Sequence, residues 1–173
     1  MNLRDKEAAV ATRQLNVQRF SITSSKSFRE VTQAIDGAVS HPNMSEFRKN
    51  TESAKSFAEV ESVARKSIGS SGFMEFIRFD LGEILRKDHG EQTPLSIRIV
   101  IGNPLIMKQM VELVPDAGSY APVTILIDER ENGVHLSYDR MASFLASYGS
   151  AAALKVAREL DAKVEALLTA AAQ

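Results

Sequence analysis

The chain has 173 residues, 44% hydrophobic and 25% charged, with 21 basic and 22 acidic side chains that leave a net charge of -1. That is enough chain for one domain with its own core, and no basic tract supplies the field that nucleic-acid binding needs. Cysteine is absent, which excludes disulfides, thiolate metal sites and thiol nucleophiles. The charged opening Met1-Asn2-Leu3-Arg4-Asp5-Lys6-Glu7 is not a secretory signal, and no apolar run approaches the roughly 18 residues of a membrane-spanning helix. The expectation is a cytoplasmic protein with neither nucleic acid nor membrane as partner.

Residues 1–12 read as a polar arm, and 13–173 as a single domain, because no repeat or low-complexity linker interrupts them. Residues 14–23 read as a strand whose apolar phase changes between Val17 and Phe20, predicting a bulge near Gln18 and Arg19. Ser27 and Glu30 have capping-box spacing, and Phe28, Val31, Ile35 and Ala38 form the stripe of a helix that His41-Pro42 ends. Residues 43–68 read as helical again, most clearly from Ser56 and Glu59 onward, with Phe57, Val60, Ala64 and Ile68 as the apolar stripe. After the turn Gly69-Ser70-Ser71-Gly72 come a strand over 73–80 and a short helix over 81–87, ending at His89-Gly90. A strand over 95–101 and a short helix over 107–114, before Pro115, follow.

Asn132-Gly133 marks a two-residue hairpin turn with positive φ at both positions. In that register Glu131 faces Val134, Asp128 faces Ser137 and Ile127 faces Tyr138. Val123, Ile125, Ile127, Leu136 and Tyr138 then share a core face. Thr124, Leu126, Asp128, Arg130, His135, Ser137 and Asp139 share the other. Val156, Leu160, Val164 and Leu167 give the last helix its buried side. Strands and helices do not alternate regularly, so the fold class is α+β, an antiparallel or mixed sheet covered by helices.

The turn Ile101-Gly102-Asn103-Pro104, the strand Ala121-Pro122-Val123-Thr124-Ile125-Leu126-Ile127, the Asn-Gly hairpin and Val134-His135-Leu136-Ser137-Tyr138 carry a likeness. Their order and spacing resemble the bacterial family catalogued as domain of unknown function 302, most strongly over residues 73–139. The resemblance implies a TATA-box-binding-protein-like fold, an antiparallel sheet with helices packed on one face. It implies no established reaction, and cofactors stay unknown. Against the compact family pattern, residues 41–68 read as an extra helical segment.

No catalytic residue is assigned from the sequence. His41, His89 and His135 lack the spacing of metal ligands. Ser137, His135 and Asp139 lie on one strand, where alternation explains them better than a triad does. Tyr138 belongs to the core face, whereas Tyr120 sits in a loop open to function. Asn103 precedes Pro104, which holds its backbone extended and turns its amide towards a sheet edge or pocket mouth. On the second sheet face, uniform alternation places Met74, Phe76, Val100 and Leu126 beside Arg78, Arg98, Asp128, His135 and Asp139. Those apolar residues call for a cover.

The expected binding set is therefore Arg78, Arg98, Leu126, Asp128, His135 and Asp139, with Asn103 and Tyr120 at the rim. The leading reading is a non-catalytic protein that binds a small molecule and self-associates as a dimer. An enzyme would use His135 as general acid or base with Asp128 or Asp139 orienting it, and Arg78 or Arg98 holding an anion. A third reading is a structural or partner-binding module.

Overall fold

The computed structural model describes residues 10–173, so most of the predicted polar arm lies outside the described residues. The strands β1 (Arg19–Ser24), β2 (Met74–Asp80), β3 (Ser96–Gly102), β4 (Val123–Arg130) and β5 (Gly133–Asp139) form one sheet. Its order is β1-β5-β4-β3-β2, and every neighbouring pair is antiparallel. Between β1 and β2 lie α1 (Phe28–Ala38), α2 (Met44–Ser53) and α3 (Phe57–Ser67). The helix α4 (Leu81–His89) joins β2 to β3, and α5 (Pro104–Val111) follows β3. After β5 come α6 (Met141–Leu145) and the long α7 (Ala151–Ala172). This is the α+β arrangement expected, an antiparallel sheet with helices packed on one face.

The core follows from alternation. Ile97, Ile99 and Ile101 of β3, Val123, Ile125 and Ile127 of β4, and Leu136 and Tyr138 of β5 are all buried. They join one apolar cluster with Val31 and Ile35 of α1 and with Leu160, Val164 and Leu168 of α7. The α1 capping box is complete: Ser27 Oγ accepts from Glu30 N–H, and the Glu30 carboxylate accepts from Ser27 N–H. Residues 43–68 form two helices rather than one, broken at Ala54-Lys55-Ser56. Asn43 caps the first and Ser56 the second. In the α3 stripe Ala64 is fully buried, but Phe57 is 52% exposed.

Two expected element starts are corrected. β1 begins at Arg19, not at residue 14, because its partner β5 ends at Asp139, opposite Arg19. Gln18, with no strand beside it, accepts instead from Arg140 N–H and donates its own N–H to Ser143 Oγ. The short helix after β3 begins at Pro104 rather than 107, since Asn103 caps it and Pro104 takes the first turn.

The hairpin pairs Arg130 with Gly133, so Ile127 faces Leu136 and Leu126 faces Ser137. That is a two-residue slip from the predicted register. An even slip leaves the face assignment intact, and so the predicted core face is the buried one. Gly133 alone of the predicted turn pair has positive φ, at 127°. Glu131-Asn132 is the loop, and the glycine stands at the start of β5.

A bulge between Glu75 and Ile77 changes the phase of β2. Ile77 and Phe79 lie opposite Val100 and Arg98, while Arg78 lies opposite the buried Ile99. The second face therefore gains Ile77 and Phe79 and loses Arg78, and the uniform alternation predicted for Phe76 and Arg78 fails at one inserted residue.

Candidate functional site

The sheet face away from α1 and α7 holds a groove of about 590 Å³ near the start of β4. Val100, Thr124, Leu126 and Ser137 form its floor. One side is Arg19 of β1 with Asp139 of β5, a two-point ion pair with Arg19 Nε to Asp139 Oδ1 at 2.6 Å and Arg19 Nη2 to Oδ2 at 2.8 Å. The hydrogen bond from Arg19 holds the Asp139 carboxyl below the usual aspartate range. The far wall is aromatic. Tyr120 stacks on Phe144 with ring centroids 4.7 Å apart, and its hydroxyl lies 2.8 Å from that of Tyr148. That hydrogen bond raises the Tyr148 pKa, so the Tyr148 phenol stays protonated at neutral pH.

Arg98 borders the groove without a carboxylate partner among the described ion pairs. Its guanidinium reaches Thr124 Oγ1 at 3.5 Å and lies 5.9 Å from the Phe79 ring centroid. The arrangement offers one exposed cation, a planar aromatic wall and a half-apolar floor. Chemically it suits a small molecule that has a flat or apolar body and an anionic group.

Four of the residues expected from sequence meet here: Arg98, Tyr120, Leu126 and Asp139. The others do not. Asp128 lies one strand position pair further along, bound to Arg130 with Nε to Oδ2 at 2.6 Å. His135 is opposite Asp128 in the ladder, yet its Nε2 lies 2.7 Å from Asn132 Oδ1 and its Nδ1 3.5 Å from Thr23 Oγ1. With Asp128 and Asp139 both held by arginines, neither carboxylate orients the imidazole.

Asn103 spends both ends of its amide on the fold, Oδ1 accepting from Leu105 N–H at 2.9 Å and Nδ2 donating to Gly72 C=O at 3.0 Å. It does border a second concavity, a cavity of about 190 Å³ between α2, α5 and the ends of β2 and β3.

Arg78 joins a cluster that sequence reasoning missed. Its guanidinium bonds Glu75, with Nη2 to Oε2 at 2.7 Å, and also Asp36 of α1. His41 Nδ1 lies 3.5 Å from Glu75 Oε2, and its Nε2 is 3.8 Å from Asp36 Oδ1. Asp36, His41 and Glu75 each bring a ligand-type atom within 4.8 Å of the others. Arg78 already neutralises both carboxylates, which is the electrostatic role a cation would have there. No sequence spacing signals this group, because the β2 bulge turns Arg78 to the side of Glu75, towards α1.

The family model described as Domain of unknown function DUF302 matches residues 48–171, which is most of the chain. The chain belongs to that family. The match takes in most of the helical segment that had read as an addition to the family pattern. A crystal structure of an uncharacterized conserved protein DUF302 from Bacillus stearothermophilus is similar in fold, with a TM-score of 0.62 at 11% sequence identity. The similarity covers 88% of this chain and 97% of that one. Among curated proteins there is no match. Among the described residues no helix is long and apolar enough to cross a membrane.

Proposed function

We propose that residues 13–173 act as one cytoplasmic domain that binds a small molecule in the sheet-face groove and self-associates, without catalysing a reaction. One observation carries the reading: side chains from β1, β3, β4, β5 and the loop before β4 converge on a single concavity of about 590 Å³, a size ordinary for small-molecule sites. Arg98 supplies the charge, Tyr120 and Phe144 the flat wall, and Leu126 the floor. The ligand class that fits is a small carboxylate on an aromatic or apolar body. Self-association falls to the apolar half of the same face, where Ile77 and Phe79 are 48% and 42% exposed. The enzyme reading centred on His135 has less support, since its ring bonds Asn132 and Thr23 rather than a carboxylate.

Naphthalene-2-carboxylate, a planar anion, tests the groove by titration under two-dimensional NMR. The expected result is saturable shifts at Arg98, Thr124 and Leu126. Arg98→Gln should weaken binding by about tenfold, since a charge-assisted hydrogen bond contributes roughly 1.5–3 kcal/mol. Leu126→Lys should keep the fold, because Leu126 lies outside the buried core, and should remove binding. Unshifted groove resonances, together with native mass spectra of host-purified protein that show no retained ligand, would sink the proposal.

A further inference from the structure

The second concavity has different chemistry. Phe47 of α2, Phe76 of β2, Ile106, Met107 and Met110 of α5 and Leu160 of α7 surround it. Asn103 is the one polar side chain among the described lining residues, and its amide is already bonded to Gly72 and to the α5 N-terminus. Water needs two to four polar partners to settle in a cavity, and a single side-chain amide with both ends already engaged supplies too few. The volume is about 190 Å³. An engineered apolar cavity of about 150 Å³ in another protein accepts benzene or xenon; this concavity is of comparable size but partly open to solvent.

Two features look built to keep the space open and reachable. Gly102 forms part of the wall, and a Cβ there would meet Pro122 Cβ at 3.0 Å and Phe76 Cε2 at 3.1 Å. The absence of a side chain leaves room for those two apolar groups to line the cavity together. The outer wall is Phe47, the only residue that α2 contributes. No residue of α2 is buried, and the concavity is partly open to solvent, so a guest can enter without rearranging the fold. Two methionines in the lining, Met107 and Met110, add side chains that adapt to a guest of irregular shape.

We propose that this cavity is a binding site for a small uncharged apolar molecule, of the size of a single substituted ring or a short hydrocarbon chain, held against Phe47 and the two methionines. It is distinct from the groove, although Ala121-Pro122-Val123 lines both. Its occupant is defined by burial alone, with no charge or hydrogen bond to recognise.

Toluene is the probe, added to the whole chain with the methionine methyl groups labelled with carbon-13. Saturable shifts of Met107 and Met110 are expected, with a higher thermal midpoint in the presence of toluene. Met107→Phe fills the cavity and should weaken toluene binding at least tenfold. It should leave the binding of naphthalene-2-carboxylate in the groove unchanged, so that the two sites stand or fall separately. If Met107→Phe does not fold, Ile106→Phe replaces it. Absence of saturable shifts in the parent overturns the proposal. So does equal toluene affinity in a folded, cavity-filled variant.

Discussion

Asp161 is the residue on which the helical layer is fastened to the sheet. It is 5% exposed on α7, among Ala157, Leu160 and Val164, which are buried as well. Its Oδ1 accepts from the Tyr138 hydroxyl at 2.7 Å and from Met141 N–H at 2.7 Å, while Oδ2 accepts from Ala142 N–H at 3.1 Å. Burial and the neighbouring carboxylate both raise the Tyr138 pKa, so the phenol keeps its proton and is the donor. One carboxylate thus satisfies the first N–H groups of α6 and a phenol of β5. Asp161→Ala would remove the acceptor of all three donors, leaving Met141 N–H only its longer 3.2 Å bond to the Tyr138 hydroxyl. We expect a loss of about 2–4 kcal/mol in urea denaturation, with Tyr138→Phe costing about 1 kcal/mol because two backbone donors still hold the carboxylate. A shift below about 1 kcal/mol for Asp161→Ala would show that water replaces it. In the sequence Tyr138 is legible as a core tyrosine in need of one partner. Asp161 is not, although an acid four residues after Ala157 and three before Val164 lies within the apolar stripe of α7, and that interruption is the signal for it.

Among the elements, the β4–β5 hairpin depends on Gly133. Its φ of 127° disfavours any residue with a side chain. A Cβ there would also stand 2.5 Å from the Ser24 carbonyl oxygen of β1. The glycine therefore serves both the turn and the approach of the neighbouring strand. Gly133→Val should destabilise by more than about 2 kcal/mol, through backbone strain and displacement of β1 together. An unchanged unfolding midpoint would refute both. The sequence shows that a hairpin lies here, and its alternation shows which face is core, because period two survives a slip of two residues. It does not show the register, since Asn132 need not take positive φ when the glycine alone can. Strand β2 is the opposite case. Its single inserted residue between Glu75 and Ile77 leaves no mark on the composition, yet it exchanges the faces of every residue after it. Arg78 consequently meets Asp36 of α1 instead of the groove.

At the scale of the whole molecule, the groove face was legible where alternation ran undisturbed, in β3, β4 and β5, which supply Arg98, Leu126 and Asp139. The aromatic wall was only half legible. Tyr120 stood out as a loop residue, but Phe144 and Tyr148 reach it only because the chain folds back after β5, a tertiary event that no local pattern encodes. The apolar cavity was invisible for the same reason, its walls coming from α2, α5, α7 and two strand ends. The remaining exposed surface points to association. Ile77 and Phe79 of edge strand β2 adjoin in sequence the helix α4, where Ile84 is 77% exposed and Leu85 is 44%. A two-fold contact would cover this patch on both copies at once, the commonest way for such a surface to be buried. A stable contact needs roughly 800 Å² from each partner, more than four side chains provide, so neighbouring parts of β2 and α4 must join it. We expect sedimentation at micromolar concentration to give a dimer of the 19.0 kDa chain. Replacing both Ile77 and Ile84 with lysine should yield a folded monomer, because neither residue is in the core and two like charges would face their own copies across the axis. A parent that sediments only as a monomer removes the dimer and leaves the groove to its own test. A double variant that still dimerises moves the interface away from β2 and α4.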